Sequence, residues 1–256
     1  MKPAVISYSF HQLQAEGLVD LFGYLETCRY RFRLDTADLW NGTLASVEED
    51  YLRKVKSALD ERELTLVNLA VDGAHLWEDD PSARERNWQN ALAHMRAAEL
   101  LGAKTVRIDA GGNHHDLEWT PEQFDYIVRR YRELARRAAD NGYRVGPENH
   151  WGAEMNPMAL KDLCLAVDSP AFGVLLHMNR WRGPEADRGD EIIAPWVMHT
   201  HLTRAIADGA LYDKMTALRS SGYQGCWSVE HPSDRYSEIE LWLARVRDVL
   251  ARWRTG

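Results

Sequence analysis

The chain has 256 residues, of which 45% are hydrophobic and 27% are charged, and its formal net charge is −8. This composition is ordinary for a globular domain, and the negative charge argues against nucleic acid or an anionic membrane surface as a partner. Its three cysteines are too few and too widely spaced for a disulfide framework, and no apolar run approaches the roughly 20 residues that span a bilayer. Because no signal peptide precedes the first strand-like segment, we expect a cytoplasmic protein.

Strand-like and helix-like segments alternate from one end of the chain to the other. The two clearest helices each follow an N-cap residue, Asp80 or Thr120, and have proline at the first helical position. Eight uninterrupted strand-then-helix units predict an α/β protein with a single (β/α)8 TIM barrel over residues 1–256, in which helices surround eight parallel strands. An open doubly wound sheet is the competing fold, but no G-x-G-x-x-G motif follows the first strand. The predicted strands are Ala4–Ser9, Leu34–Trp40, Leu64–Val71, Thr105–Ala110, Tyr143–Asn149, Gly173–Met178, Val197–Leu202 and Cys226–Glu230, and the two helices are Pro81–Leu101 and Pro121–Asp140.

The last four predicted strands each carry, at or near the end, a side chain that can bind a metal ion. These residues are Glu148, His177, His201 and Glu230, separated by 29, 24 and 29 residues, about the length of one strand-plus-helix unit. In a parallel barrel the four side chains would converge at the C-terminal mouth, where active sites of such barrels lie. Two carboxylates and two imidazoles suit a divalent transition metal. Each residue alone is more simply a helix cap or a core residue, but their shared position and strand parity favour a metal site.

Three motifs surround these residues: GPENHWG at 146–152, VMHTH at 197–201 and GCWSVEH at 225–231. On these motifs, and over essentially its whole length, the chain resembles the sugar phosphate isomerase/epimerase family of xylose-isomerase-like barrels. The resemblance implies one divalent metal bound by Glu, Asp, His and Glu from strands five to eight. Those positions correspond to Glu148, His177, His201 and Glu230. His177 departs from the pattern, because the family usually has Asp there and His three residues later, where this chain has Arg180.

The presence of His177 where the family usually has a carboxylate changes the expected chemistry of the metal. With a divalent cation the site would carry a formal charge of about zero rather than about −1, so the metal should be a stronger Lewis acid. A second imidazole also moves the preference from Mg²⁺ towards Mn²⁺, Co²⁺, Fe²⁺ or Zn²⁺. The alternative is that His177 does not bind the metal, which would leave a weak three-ligand site or none.

For function, the resemblance implies a metal-dependent isomerase or epimerase of a sugar or keto-sugar. Glu148 and Glu230 would exchange protons with the substrate beside a metal-bound carbonyl, through an ene-diolate intermediate. A lyase or dehydratase acting on a keto-sugar or keto-inositol would share the first step and then expel a β-hydroxyl group or an aglycone. A DNA-repair endonuclease also uses this barrel type, but it would need more metal ligands and a basic groove. A barrel that has lost the metal and serves as a non-catalytic subunit is the remaining alternative.

A further group of side chains is expected to contact a small sugar or polyol, with neither nucleic acid nor a membrane as partner. Oligomeric state stays open, since dimers and tetramers are common in the family. Tryptophans in the loops could cover a sugar ring or simply pack as a roof, and an inward arginine could equally form a structural ion pair. Glu154, six residues beyond Glu148, is a weaker candidate for the substrate. The expected substrate-binding residues are His150, Arg107, His75, Trp77, His199 and Arg204.

Overall fold

The computed structural model of the chain describes residues 1–203, 206 and 209–255. Within them, eight parallel strands form a barrel with helices on its outer surface, which confirms the predicted (β/α)8 fold. The strands are β1 (Pro3–Val5), β2 (Thr36–Trp40), β3 (Thr65–Val71), β4 (Thr105–Ile108), β5 (Arg144–Gly146), β6 (Val174–His177), β7 (Val197–Leu202) and β8 (Trp227–Val229). The α-helices are α1 (His11–Ala15), α2 (Leu21–Glu26), α3 (Glu49–Glu61), α4 (Pro81–Leu101), α5 (Pro121–Asn141), α6 (Pro157–Val167), α7 (Gly189–Ile193), α8 (Leu211–Ser220) and α9 (Tyr236–Thr255).

The two longest predicted helices begin where their capping residues require. The Asp80 carboxylate accepts hydrogen bonds from the first amides of α4, and Thr120 forms a reciprocal capping box with Gln123 at the start of α5. Both helices end before a glycine with φ of 75°, a left-handed conformation that glycine adopts without a steric penalty. These local signals are visible in the sequence, so the bounds of α4 and α5 agree with the prediction to within one residue.

Several strands are shorter than predicted, because the chain leaves the ladder near the mouth of the barrel. The first predicted strand ends early, and Ser7–Phe10 forms a 3-10 helix instead. Ser7 uses its hydroxyl group to accept a hydrogen bond from the Trp40 amide, at 2.9 Å. The regular part of β5 ends at Gly146, before Pro147, which has no amide hydrogen to donate. The residues beyond these strand ends form the rim of the mouth.

The barrel consists of two four-stranded sheets, in the orders β1-β8-β7-β6 and β2-β3-β4-β5, joined at two seams. At the seam between β1 and β2, the buried Tyr24 hydroxyl accepts from the Asp38 amide at 2.9 Å and donates to the Val5 carbonyl at 2.7 Å. At the seam between β5 and β6, a Cβ atom on Gly146 would lie 1.7 Å from the carbonyl oxygen of Gly173. A glycine is therefore required for the close approach of the two strands.

The outer faces of the strands pack against the helices, and the inner faces carry polar groups. Val174, Leu176, Trp227 and Val229 are all fully buried under the helices. Asp38, Asn68, His199 and Ser228 are buried as well, and hydrogen bonds join all four inside the barrel. This division follows the two-residue alternation of side chains along a strand. Among the described residues, none of the helices combines the length and apolarity needed to cross a bilayer.

Candidate metal centre and active site

The structure brings the four candidate ligands together at the C-terminal end of the barrel. Glu148 lies two residues beyond β5, His177 ends β6, His201 lies in β7, and Glu230 follows β8. His177 and His201 are paired in the register of their neighbouring strands. One ligand atom from each of the four residues lies within 4.8 Å of the others; Glu230 is partly exposed, whereas the other three are buried.

The atoms that face one another are the nitrogen and oxygen donors of these side chains. His177 Nδ1 lies 2.9 Å from Glu148 Oε1, and His201 Nδ1 lies 3.2 Å from the same oxygen. Glu230 Oε2 lies 3.0 Å from His201 Nδ1 and 3.9 Å from His177 Nδ1. Donors that share a metal at about 2.0–2.2 Å are separated by roughly 3–3.5 Å. The residues present fit one divalent cation in donor type, and three of the four distances lie close to this spacing.

The electrostatics of the apoprotein are consistent with a site built for positive charge. Burial alone would raise the pKa of Glu148, but His201 and His177 outweigh it and hold this pKa well below its usual range. Burial opposes a charge on His201, yet Glu148 and Asp38 raise its pKa well above the usual value. The pKa of Glu230 is lowered despite burial, through its hydrogen bond with His201 and the nearby His177. A proton on His201 would thus offset part of the negative charge of the two glutamates.

Asp38, in β2, supports His201 from inside the barrel. Its Oδ2 atom accepts hydrogen bonds from Ser228 Oγ at 2.6 Å and from His199 Nε2 at 2.8 Å, and lies 3.3 Å from His201 Nε2. Its Oδ1 atom accepts from Asn68 Nδ2 at 2.9 Å. The carboxylate favours a hydrogen on Nε2 of His201, which would leave the Nδ1 lone pair to bind a metal ion held by the glutamates. An outer carboxylate of this kind orients a histidine ligand and raises its basicity.

Asp38, His199 and His201 also lie close enough together to hold a metal ion. The hydrogen bonds from Ser228 and Asn68 already occupy both carboxylate oxygens, so we assign this cluster a supporting role. Sequence reasoning missed Asp38. The available signal was an acidic residue inside an otherwise buried strand, a position where unpaired carboxylates are rarely found.

A cavity of about 200 Å³ opens beside the four candidate ligands. It is smaller than the roughly 300–1,000 Å³ of pockets for drug-sized ligands, and suits a small polyol. Tyr8 packs edge-on against Trp40, with ring centroids 5.1 Å apart, and Trp40 Nε1 donates to Asp72 at 2.7 Å. The residues that line this cavity are Ile6, Tyr8, Trp40, Asp72, Arg107, Glu148, His150, Arg180, His201 and Glu230.

A larger cavity, of about 560 Å³, lies at the opposite end of the barrel. It is lined by residues at the beginnings of β1 and β2 and by the end of α9, such as Pro3, Asp35 and Trp253. None of the candidate ligands reaches it. This cavity is the larger of the two, but the smaller one has the convergent polar groups that an active site requires. We therefore place the candidate active site at the smaller cavity.

Two of the predicted substrate-binding residues line the smaller cavity. His150 lies there, with its Nδ1 atom 3.6 Å from Asp109 Oδ2. Arg107 also lines the cavity, but its Nη1 atom donates to Asp109 at 3.0 Å and its Nη2 atom donates to Asp72 at 2.9 Å. Arg107 therefore belongs to a buried ion-pair network as well, the alternative that the sequence left open.

The other predicted substrate-binding residues are not brought to the lining of this cavity. His75 Nδ1 lies 3.1 Å from Glu78 Oε1, and Trp77 is buried with the Arg84 guanidinium 3.7 Å from its ring centroid, so both belong to the roof. His199 lies deeper in the barrel, against Asp38. Arg204 lies outside the described residues. Tyr8, Asp72 and Arg180 also line the cavity and are not among these six expected residues.

Glu154 is fully buried and does not line the cavity. One carboxyl oxygen accepts a hydrogen bond from the Ala110 amide, and the other has no hydrogen-bond partner. Burial and the nearby Asp109 raise the pKa of Glu154 well above its usual value, which favours the neutral acid.

We expect His177→Ala to reduce the affinity for Mn²⁺ or Co²⁺ by at least about tenfold, because it removes one of four donors. Isothermal titration of the metal-free protein measures the change. His115→Ala is the matched control, since this exposed histidine is neither a candidate ligand nor part of the cavity lining. Equal affinity in the His177→Ala variant and the parent protein would remove His177 from the site.

Known proteins share this architecture. The model of a family described as xylose isomerase-like TIM barrel matches residues 32–253. Among solved structures, 3-keto-D-glucoside 4-epimerase YcjR from E. coli is 17% identical over 100% of both chains, with a TM-score of 0.74. The probable 3-DHS dehydratase AsbF from Bacillus anthracis is 13% identical over 96% of this chain and 99% of its own, also at 0.74.

A xylose isomerase-like TIM barrel protein from Mycobacterium smegmatis, solved in complex with magnesium, is 16% identical over 97% of this chain and 96% of its own, with a TM-score of 0.75. At these identities the structural likeness establishes the fold alone. No curated protein sequence matches the chain.

Proposed function

Because the chain belongs to the xylose isomerase-like TIM barrel family, we propose that it is a divalent-metal-dependent isomerase or epimerase of a sugar or keto-sugar. The observation that carries this proposal is the convergence of Glu148 and Glu230 with two imidazoles at the wall of one small cavity. Two imidazole donors favour Mn²⁺, Co²⁺, Zn²⁺ or Fe²⁺ over Mg²⁺. A divalent cation held by Glu148, His177, His201 and Glu230 would act as a Lewis acid that makes the C–H group beside a substrate carbonyl more acidic.

The two glutamates supply the acid–base chemistry of the proposed reaction. Their lowered pKa values keep both carboxylates ionised at neutral pH, so either can accept a proton from carbon. Glu148 follows β5 and Glu230 follows β8, with two strands between them, so they approach the cavity from different sides. One glutamate can remove the proton while the other returns it. Return to the same carbon from the other face gives an epimer, and return to the neighbouring carbon gives an isomer.

The rest of the cavity suits a sugar. Tyr8 and Trp40 present an apolar wall of the kind that covers the C–H face of a sugar ring. Asp72 and His150 provide polar groups for hydroxyls on the other sides. Arg107, which donates to Asp109 and Asp72, holds the Asp72 carboxylate at the cavity wall.

A lyase or dehydratase on the same scaffold is the second candidate. It would begin with the same proton abstraction and then lose a β-hydroxyl group. His150, at the cavity wall and outside the four candidate ligands, is placed to protonate such a leaving group.

Proton NMR in D2O tests the proposal and separates the two candidates. We expect the Mn²⁺-loaded protein to introduce deuterium beside the carbonyl of at least one ketohexose, ketopentose or 3-keto-glucoside, without loss of water. An unsaturated product would identify a lyase. Treatment with a chelator should abolish the exchange, and restoration of Mn²⁺ should recover it. Exchange that continues undiminished in the metal-free protein would contradict the proposed metal dependence.

A further inference from the structure

The position three residues after His177 holds an arginine that faces the cavity. Arg180 lines this cavity and is partly buried. Its guanidinium Nη1 atom lies 3.4 Å from His177 Nδ1, a group that carries no negative charge. No carboxylate of the part of the chain that the structure describes lies within 4.0 Å of this guanidinium. A partly buried cation without an opposite charge is costly unless a ligand supplies one.

The other charged groups at the cavity already have a partner of opposite charge. Arg107 lies with Asp109 and Asp72, at 3.0 and 2.9 Å, and its Nε atom is 3.4 Å from Glu148 Oε2. Glu148 and Glu230 would balance a divalent cation. Arg180 is therefore left to interact with whatever enters the cavity.

We propose that the cavity binds an anionic sugar, whose carboxylate or phosphate group is held by Arg180. This inference rests on the proposed function, because it concerns the substrate of that same site. A guanidinium group forms paired, charge-assisted hydrogen bonds with either anion, and is most effective where water is excluded. The short distance between Arg180 and a candidate ligand atom places the anionic group within a few carbons of the reacting carbonyl. This nearness favours the carboxylate of a sugar acid over a phosphate at the far end of the sugar.

His177 and Arg180 act in the same direction. The imidazole of His177 brings no negative charge to the proposed cation, and Arg180 adds one positive charge at the end of β6. An anionic group of the substrate can therefore lie beside the cation with a guanidinium to offset its charge. Both residues favour an anionic substrate over a neutral one.

Calorimetric titration with D-gluconate and D-sorbitol tests this assignment. The two ligands share a carbon chain and differ only by a carboxylate in place of a hydroxymethyl group. We expect the Mn²⁺-loaded protein to bind D-gluconate at least about tenfold more tightly than D-sorbitol. Arg180→Gln should remove this preference, while Arg182→Gln, at an exposed position outside the cavity lining, should retain it. D-sorbitol 6-phosphate separates the two anions: tighter binding of this ligand than of D-gluconate would assign the site to a sugar phosphate.

Three results would overturn the assignment of Arg180: equal binding of D-gluconate and D-sorbitol, binding of neither anion, or an undiminished preference in Arg180→Gln. The last result would mean that the cation alone holds the carboxylate. Metal affinity, measured on the same samples, distinguishes failure of the Arg180 assignment from failure of the proposed metal-dependent function. Arg180→Gln should bind Mn²⁺ at least as tightly as the parent protein, because a positive charge near the cation is removed. Failure of the parent protein to bind Mn²⁺ would contradict the proposed function, and titration of D-gluconate and D-sorbitol into metal-free protein still tests Arg180 in that case.

Discussion

Replacement of Glu148 or Glu230 by glutamine is expected to lower turnover by roughly 10²–10⁴-fold, the range that a positioned acid or base contributes. Glutamine has nearly the same shape as glutamate but cannot accept a proton from carbon at neutral pH. Turnover of the keto-sugar identified by deuterium exchange measures the loss. Both side chains lie at strand ends rather than in the packed layer beneath the helices, so circular dichroism should record the same barrel in both variants.

The two glutamine variants also differ from each other in a way that can be measured. Glu148 is buried and contacts both His177 and His201, whereas Glu230 is partly exposed. Glu148→Gln should therefore lower the melting temperature of the metal-free protein more than Glu230→Gln does. Glu118→Gln, at an exposed loop position, is the control and should leave turnover unchanged. Full activity in either site variant would remove that glutamate from the acid–base assignment.

Asp38→Asn is expected to reduce metal affinity by roughly 10–100-fold, although Asp38 is not itself one of the four candidate ligands. The substitution replaces one acceptor oxygen by an amide group that donates hydrogen bonds. Ser228 and His199 both donate to one oxygen of Asp38, and Asn68 donates to the other, so either orientation of the new amide opposes a buried donor. His201 loses the negative charge beside Nε2, and its Nδ1 atom becomes a weaker donor to the cation.

The same substitution should destabilise the barrel by on the order of 3 kcal/mol, since it leaves buried polar groups without a charged partner. Urea denaturation and metal titration of the same samples separate the two effects. Asp35→Asn is the matched control: Asp35 lies three residues earlier, and its partly exposed ion pair with Lys2 contributes at most about 1 kcal/mol. A stability loss in Asp38→Asn with unchanged metal affinity would make Asp38 a structural residue and not a positioning residue.

The fold could be predicted because its main signals are local. Caps such as Asp80 and Thr120 act on amides two or three residues away, and the alternation within β6 and β8 is visible over four or five residues. Strand ends were less predictable. Ser7 leaves β1 early because its hydroxyl group bonds to Trp40, 33 residues later, a contact that no local pattern contains.

The same distinction applies to the candidate site. The four candidate ligands share a strand-end position, so the barrel topology alone predicts their convergence. Asp38 was missed because its role depends on His199, which is 161 residues away in the chain. Trp77 is an aromatic residue of the kind that packs against a sugar ring, but the Arg84 guanidinium covers its ring. The path of the loop determines this contact, and local sequence patterns do not reveal that path. Sequence patterns thus predict which residues share a face, and not which of them is already in contact with a neighbour.

The two seams of the barrel have a consequence for how the site is assembled. Glu148 belongs to the half-barrel of β2 to β5, while His177, His201 and Glu230 belong to the half-barrel of β6 to β8 and β1. Asp38, the support of His201, also comes from the first half. Neither half contains a complete set of ligands, so the complete site exists only in the closed barrel. A folding intermediate in which only one half of the barrel has formed would bind a metal ion weakly. Tight metal binding would therefore indicate that the whole barrel has closed.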